Sequence, residues 1–452
     1  MGCQVRNQRV FETFSQIHVD FSVFMGIMEM RRVMDMLIQF RFENFKSFRD
    51  DTILDLSATK ISEYSNHIVS SGNEKLLPAA AIFGANASGK SNVIEALRFM
   101  ATYVIDSFMY GGDHEKERIE RLRRTPFIFD SDSKRAESSF EVYFTGDEDH
   151  GEKTYNYGFT LDSYGIVEEW LNTKAKSARS FRKIFYRNPK ELVLDGISSR
   201  QEENIRLSLE QEVLVVSLGA KLKIDILKAV RDWFYFLNFA DFGDPQENEF
   251  LSSRIPRGFS RSRQVQREVA SYLASFDSSI VDFRVELLRE DSQGELVRID
   301  ALHRTREGRI ISLPFPQESA GTLKMFALYP FFQDTLTEGG ILLIDELNAR
   351  LHPLLVRNFL LAFLNPEVNP KHAQIIFTTH DAWQLSNNLL RRDEIWFTEK
   401  DRDGASSLYS LADFTDEDGL KIRKDENYEK NYLLGKYGAI PDLQYMDVLR
   451  RD

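Results

Sequence analysis

Apolar and polar residues alternate through "LIQFRFENF", where Ile38, Phe40 and Phe42 interleave with Gln39, Arg41 and Glu43. That period of two predicts a strand, and residues 37–60 read as two strands around a turn. The pattern changes in "LPAAAIFGANASGKSNVIEALRFMATYVI": an apolar run, a Gly-containing turn, then helical spacing with Val93, Ile94, Leu97 and Met100 on one face. Alternation returns at 139–162, where a Gly-containing turn predicts paired strands. Residues 200–280 read as helical, and 281–313 again as strands. Beyond them the order is strand (341–345), helix (353–363), strand (374–379), helix (382–390) and strand (394–398). Strands and helices alternating at this spacing predict a parallel, doubly wound α/β sheet.

Four segments follow: an extension over 1–36, the N-terminal half of an α/β head over 37–180, a mainly helical insertion lobe over 181–290, and the C-terminal half of the head over 291–452. The insertion sustains no heptad, which excludes a long coiled-coil arm. Six of the ten methionines fall in residues 1–36, so the extension is expected to be non-native or poorly packed, with translation starting at Met34 or Met36.

Composition narrows the class. The 452 residues are 42% hydrophobic, enough for a large core in more than one lobe. A net charge of −12 argues against a surface coated for nonspecific DNA binding. Cys3 is the single cysteine, which excludes a disulfide framework and fits a reducing cytosol. No run is long and apolar enough to span a bilayer, no signal-peptide core is present, and "MGCQVR" has Arg6 where myristoylation needs Ser or Thr. A soluble, cytoplasmic protein with no membrane partner is expected. The eight histidines form no zinc-binding spacing.

"GANASGKS" matches the full G-x-x-x-x-G-K-[ST] pattern between a strand and a helix. Gly84, Ala85, Asn86, Ala87, Ser88 and Gly89 let successive amides curl around the phosphates of ATP, and the helix starting at Lys90, Ser91 and Asn92 adds its positive end. Lys90 is expected at the β- and γ-phosphates and Ser91 on Mg²⁺. "ILLIDE" is a buried strand that delivers Asp345 to the same Mg²⁺ and Glu346 to the attacking water. "QIIFTTHD" brings His380 to the same sheet edge as a γ-phosphate donor. Lys90, Glu346 and His380 are the expected catalytic set.

In this order the motifs resemble the ABC-type ATPase heads of the SMC, RecF and OLD group. That resemblance implies an ABC-type P-loop head with a split sheet. It makes "SAGT", Ser319 to Thr322, the signature motif that contacts ATP held by a second subunit, with Ser319 and Gly321 as ligands in a homodimer. "FRFENFKSFRDDTILDLSATK", "DELNARLHP" and "ENYEKNYLLGKYGAIP" resemble more narrowly the AAA15-type family of phage-defence ATPases, which includes RloA and AbiL and is related to AriA of PARIS. The resemblance covers 37–165 and 310–441 best. It implies control of a separately encoded, nuclease-like or RloB-like effector, with higher assembly beyond the dimer allowed. Two departures stand out: Asn348 occupies a D-loop position that is often Asp, and no Q-loop glutamine follows the P-loop helix.

Weaker signals point elsewhere. Glu399, Asp401 and Asp403 mimic part of a nuclease acid set, but Asp403-Gly404 reads as a hairpin turn. Arg254, Arg257, Arg261, Arg263 and Arg267 cluster in the insertion, either as a nucleic-acid or acidic-partner surface or as a solvated face. The mixed charges of 113–124 predict a salt-bridged surface helix. The alternative to an effector-controlling ATPase is a DNA repair ATPase of the RecF or SMC kind.

Overall fold

The computed structural model describes residues 16–19, 35–110, 123–148, 151–244, 247, 251, 255–291, 294–415, 419 and 421–441. Ten elements matter for the site. They are β1 (Leu37–Glu43), β2 (Ala79–Gly84), α1 (Lys90–Asp106), β3 (Leu237–Asp241), α2 (Ala320–Glu338), β4 (Ile341–Asp345), α3 (Pro353–Leu364), β5 (Gln374–Thr379), β6 (Ile395–Lys400) and β7 (Ser406–Ser410).

Six of these strands form one sheet in the order β3-β4-β5-β2-β6-β7. Its first five strands are parallel and only β7 is antiparallel. Every residue of β2, β4 and β5 is buried. Their alternation distributes them between two cores. Ala80, Ile82, Ile341, Leu343 and Ile376 face one side; Ala79, Ala81, Phe83, Leu342, Ile344, Ile375 and Phe377 face the other. Burial on both faces is why these strands read as continuous apolar runs. The chain leaves β2 and enters α1 at one end of the sheet, and the parallel strands β4 and β5 end at that same edge.

A second sheet of seven antiparallel strands contains β1 and shares the first core with α1. This gives the α/β fold that the pattern predicts, with the division into a parallel and an antiparallel sheet that the motif resemblance implies. A third sheet, built on Ile280–Asp291 and Gly294–Arg304, packs in the second core with α2.

The segment 181–290, expected to be mainly helical, carries the helices Ser199–Ser208, Val215–Lys221, Asp225–Tyr235 and Arg263–Ala274, and strands as well. Arg182–Arg187 and Leu192–Leu194 extend the antiparallel sheet, and β3 lies in the parallel sheet with Asp241 opposite Asp345. "YFLNFAD" continues the apolar density of the preceding helix Asp225–Tyr235, so the change from helical to strand spacing at Leu237 is masked. The expected helix over 382–390 is also absent. Only a 3₁₀ turn, Ala382–Gln384, forms. Here the Asp381 carboxylate accepts from Trp383 N, Ser386 Oγ accepts from Asn388 N, and Asn387 donates to Lys424 O and Glu426 O. Such side chains compete with helical hydrogen bonding.

Of the N-terminal extension, expected to pack poorly, Gln16–Val19 pairs antiparallel with Glu295–Arg298. Residues 1–15 and 20–34 lie outside the described residues, as does most of the expected 113–124 helix. No helix among the described residues is long and apolar enough to cross a membrane.

Candidate nucleotide site

The P-loop is packed on its neighbours through close approaches that only glycine permits. A Cβ on Gly84 would lie 2.5 Å from Thr398 O, and one on Gly89, at φ 109°, would lie 2.6 Å from Ser406 Oγ. The Ser88 hydroxyl bonds Thr398 Oγ1 at 2.6 Å, and Asn92 donates to Ser47 Oγ at 2.7 Å. Ser47 in turn accepts from the Ser406 hydroxyl at 2.8 Å. The cradle is therefore tied to β6, to β7 and to the loop after β1. The Asn92 side chain is committed to this brace, whereas Asn86 is exposed.

Lys90 is buried at the start of α1 and donates to the carbonyls of Gly84 at 3.0 Å and Ala85 at 2.9 Å. Burial pulls its ammonium below the usual lysine range, and the charges of Asp345 and Glu346 oppose that pull. These two carboxylates end β4 beside the P-loop. Asp345 is bonded by Ser91 and by Thr378 Oγ1 from the neighbouring strand. Burial raises its pKa, the hydrogen bonds from Thr378 and Ser91 oppose the rise, and the charges of Asp241 and Glu346 add to it.

Glu346 N donates to Thr378 Oγ1 at 2.8 Å, so one hydroxyl serves both acidic residues. Glu346 adopts φ 52°, a left-handed conformation that a non-glycine residue keeps only when its surroundings enforce it. Asn348 accepts from Thr379 Oγ1 at 2.9 Å, and its Nδ2 lies 3.0 Å from His380 Nε2. The exposed His380 is thereby linked to the turn that follows Glu346.

Three contributors escaped the sequence reading. Thr378 bridges the acidic pair. Asp241, at the end of β3, holds the Gly243 and Asp244 amides, and a Cβ on Gly243 would lie 3.4 Å from the Glu346 carboxyl carbon. Lys324, buried in α2, donates to the carbonyls of Glu346, Leu347 and Ala349 at 3.0, 2.8 and 2.9 Å. Burial pushes its pKa down to about 7, opposed by the charge of Glu346 and reinforced by that of Arg350. Only the Asp ending "FAD" carried a signal: a carboxylate closing a short apolar run, as at Asp345.

Ser319 caps α2 by accepting from Thr322 N at 3.1 Å. It is exposed, and among the described residues nothing links its hydroxyl to the P-loop of its own chain. Gly321 packs inward instead: a Cβ there would meet Arg350 O at 3.2 Å. The motif residues thus divide into one converged set, Lys90, Ser91, Asp345, Glu346 and His380, and a separate exposed one at Ser319.

A family model described as "AAA domain, putative AbiEii toxin, Type IV TA system" matches residues 79–382, from the P-loop strand through His380. The chain belongs to this family. Two solved structures are similar to it. One is the SMC head bound to the C-terminal winged-helix domain of ScpA, at 17% identity and TM-score 0.38, covering 83% of this chain and 97% of that one. The other is the recombination mediator RecF with ATP, at 12% identity and TM-score 0.35, covering 85% of this chain and 100% of that one. No curated protein matches the chain.

The converged set fits Mg²⁺ and a nucleotide by its own chemistry. The glycines let the loop pack closely on Thr398 and Ser406 ahead of the α1 N-terminus, and Ser91 and Asp345 present adjacent oxygen donors suited to a hard cation. Asp401 and two of the insertion arginines have partners within the chain, while Arg257 and Arg267 are exposed. Asp401 accepts from Ala405 N at the hairpin between β6 and β7, with Gly404 at φ 83°. Arg261 pairs with Glu290 and Arg263 with Asp282 at 2.6 and 2.8 Å, while Arg254 lies outside the described residues.

Proposed function

We propose that the chain hydrolyses Mg²⁺-ATP at a site shared between two copies of itself, and that this cycle controls a partner effector. The observation carrying the reading is the convergence at one sheet edge: Ser91 bonded to Asp345, Glu346 one residue beyond, and Lys90 alongside. Ser91 and Asp345 would hold the cation; its contribution when bound is to neutralise charge on the phosphate oxygens. Lys90 turns from the Gly84 and Ala85 carbonyls toward the β- and γ-phosphates. Glu346, aimed by its left-handed backbone, orients and deprotonates the attacking water. His380, steadied by Asn348, donates to the γ-phosphate.

The second copy enters through Ser319. An exposed serine hydroxyl at a helix N-terminus offers an anion a second site, with Gly321 packed inward beside it, and among the described residues no hydrogen bond ties that hydroxyl to the P-loop of its own chain. Two chains related by a two-fold axis would each supply a P-loop to one ATP and Ser319 to the other. A role in phage defence, with an effector such as a nuclease as partner, is supported by the motif resemblance and by the toxin description carried by the family. The ion-paired Arg261 and Arg263 and the net charge of −12 weigh against a DNA repair ATPase.

Glu346→Gln tests the chemistry. Steady-state turnover should fall about 10²- to 10³-fold with ATP affinity kept, as for loss of a group acting only in the transition state. Turnover within about threefold of wild type would remove Glu346 from the reaction.

A further inference from the structure

A buried lysine is unusual, and Lys324 is 4% exposed. Its ammonium has three N–H donors, and each meets one backbone carbonyl: Glu346 O, Leu347 O and Ala349 O. The Phe242 ring lies 4.2 Å from the same nitrogen, on the turn that also carries Gly243 against Glu346. These carbonyls belong to the segment that begins with the left-handed Glu346 and passes through Asn348, the partner of His380. Lys324 itself lies five residues after Ser319, in the opening turns of α2. The same helix start touches the segment a second time, where Gly321 sits against Arg350 O.

We propose that Lys324 is a positioning residue that fastens the signature helix to the loop carrying Glu346, so that contact of Ser319 with nucleotide on a second copy sets the aim of Glu346 in its own site. The inference rests on the shared-site reading above. Its physical basis is rigidity. A cation with all donors engaged on three carbonyls of one short loop leaves that loop no independent movement relative to α2. The cost of the Glu346 backbone conformation is met by the same contacts. A displacement of the helix start is therefore a displacement of the water-activating carboxylate, and neither Lys90 nor the P-loop takes part.

The test compares Lys324→Met with wild type and with Ser319→Arg. Lys324→Met should lower kcat about tenfold or more with KM for ATP within about threefold, because aim is lost and nucleotide binding is not. Its Hill coefficient for ATP should fall toward 1, and with Glu346→Gln added it should still dimerise on ATP. Lys324→Arg, which keeps the charge and the donors, should recover most of the turnover. A melting curve checks folding; if Lys324→Met does not fold, Lys324→Gln, which keeps two donors, is read for the same split. A kcat within about twofold of wild type with an unchanged Hill coefficient overturns the inference. A Ser319→Arg variant that dimerises normally on ATP overturns instead the shared-site reading on which it rests.

Discussion

The starts of α1 and α2 are both small-residue turns ahead of a helix, and the fold treats them in opposite ways. At α1 every flank is braced within the chain: Ser88 to Thr398, Asn92 to Ser47, and Gly89 pressed against Ser406. At α2 the Ser319 hydroxyl bonds only Thr322 among the described residues and faces solvent. A third helix start shows how the chain closes such an end when no ligand is meant for it. The Val215 and Val216 amides donate to the buried carboxylate of Glu169, at 2.7 and 3.1 Å. One helix start is an assembled anion cradle, one is filled by the carboxylate of another element, and one is capped only by its own exposed serine. Under the function proposed above, the exposed one receives an anion brought by another copy.

Substitutions at the three ends sharpen the contrast. The largest effect is expected at α1, where Lys90→Ala should abolish ATP binding in equilibrium titrations and reduce turnover by about 10³-fold or more. Affinity within about tenfold of wild type would show that the braced cradle is not the nucleotide site. A smaller effect is expected beside Glu346. Asp241→Ala releases the Gly243 turn that packs on its carboxyl, and kcat should fall about three- to tenfold with KM unchanged. The smallest belongs to the filled end. Burial raises the Glu169 carboxyl to about 7 against its three hydrogen-bond donors and Arg187. Its folded pKa is above the unfolded value, so its contribution to stability is complete below the ordinary glutamate range and is lost as pH rises through about 7. Melting temperature should drop by about a few degrees across that window, and Glu169→Gln should flatten the dependence. A slope unchanged in the variant would assign the titration to another group.

How legible these features are follows from their reach along the chain. "GANASGKS" and "ILLIDE" carry their chemistry within a few contiguous residues, so the P-loop and acidic strand can be placed from the sequence. The α/β order follows from strand and helix periods for the same reason. Thr378 bridges Asp345 and Glu346 from 33 and 32 positions away, and Lys324 reaches the Glu346–Ala349 carbonyls from 22 to 25 positions away. Neither link leaves a local pattern; a lysine in an apolar helix reads as a surface residue until its partners are known. β3 was hidden because apolar density runs unbroken from Trp233 into it. The expected helix after His380 failed because Asp381, Ser386 and Asn387 offer side-chain hydrogen bonds that compete with helix formation.

The contrast between the braced and the open helix start is tested most directly in a background that binds ATP without consuming it. Glu346→Gln and Glu346→Gln/Ser319→Arg chains would be loaded with Mg²⁺-ATP and their masses in solution measured by light scattering, with bound nucleotide quantified in the same fractions. A dimer is expected for the single variant and an ATP-bound monomer for the double variant. A double variant that remains an ATP-dependent dimer would contradict it, because Ser319 would then be a helix cap and nothing more.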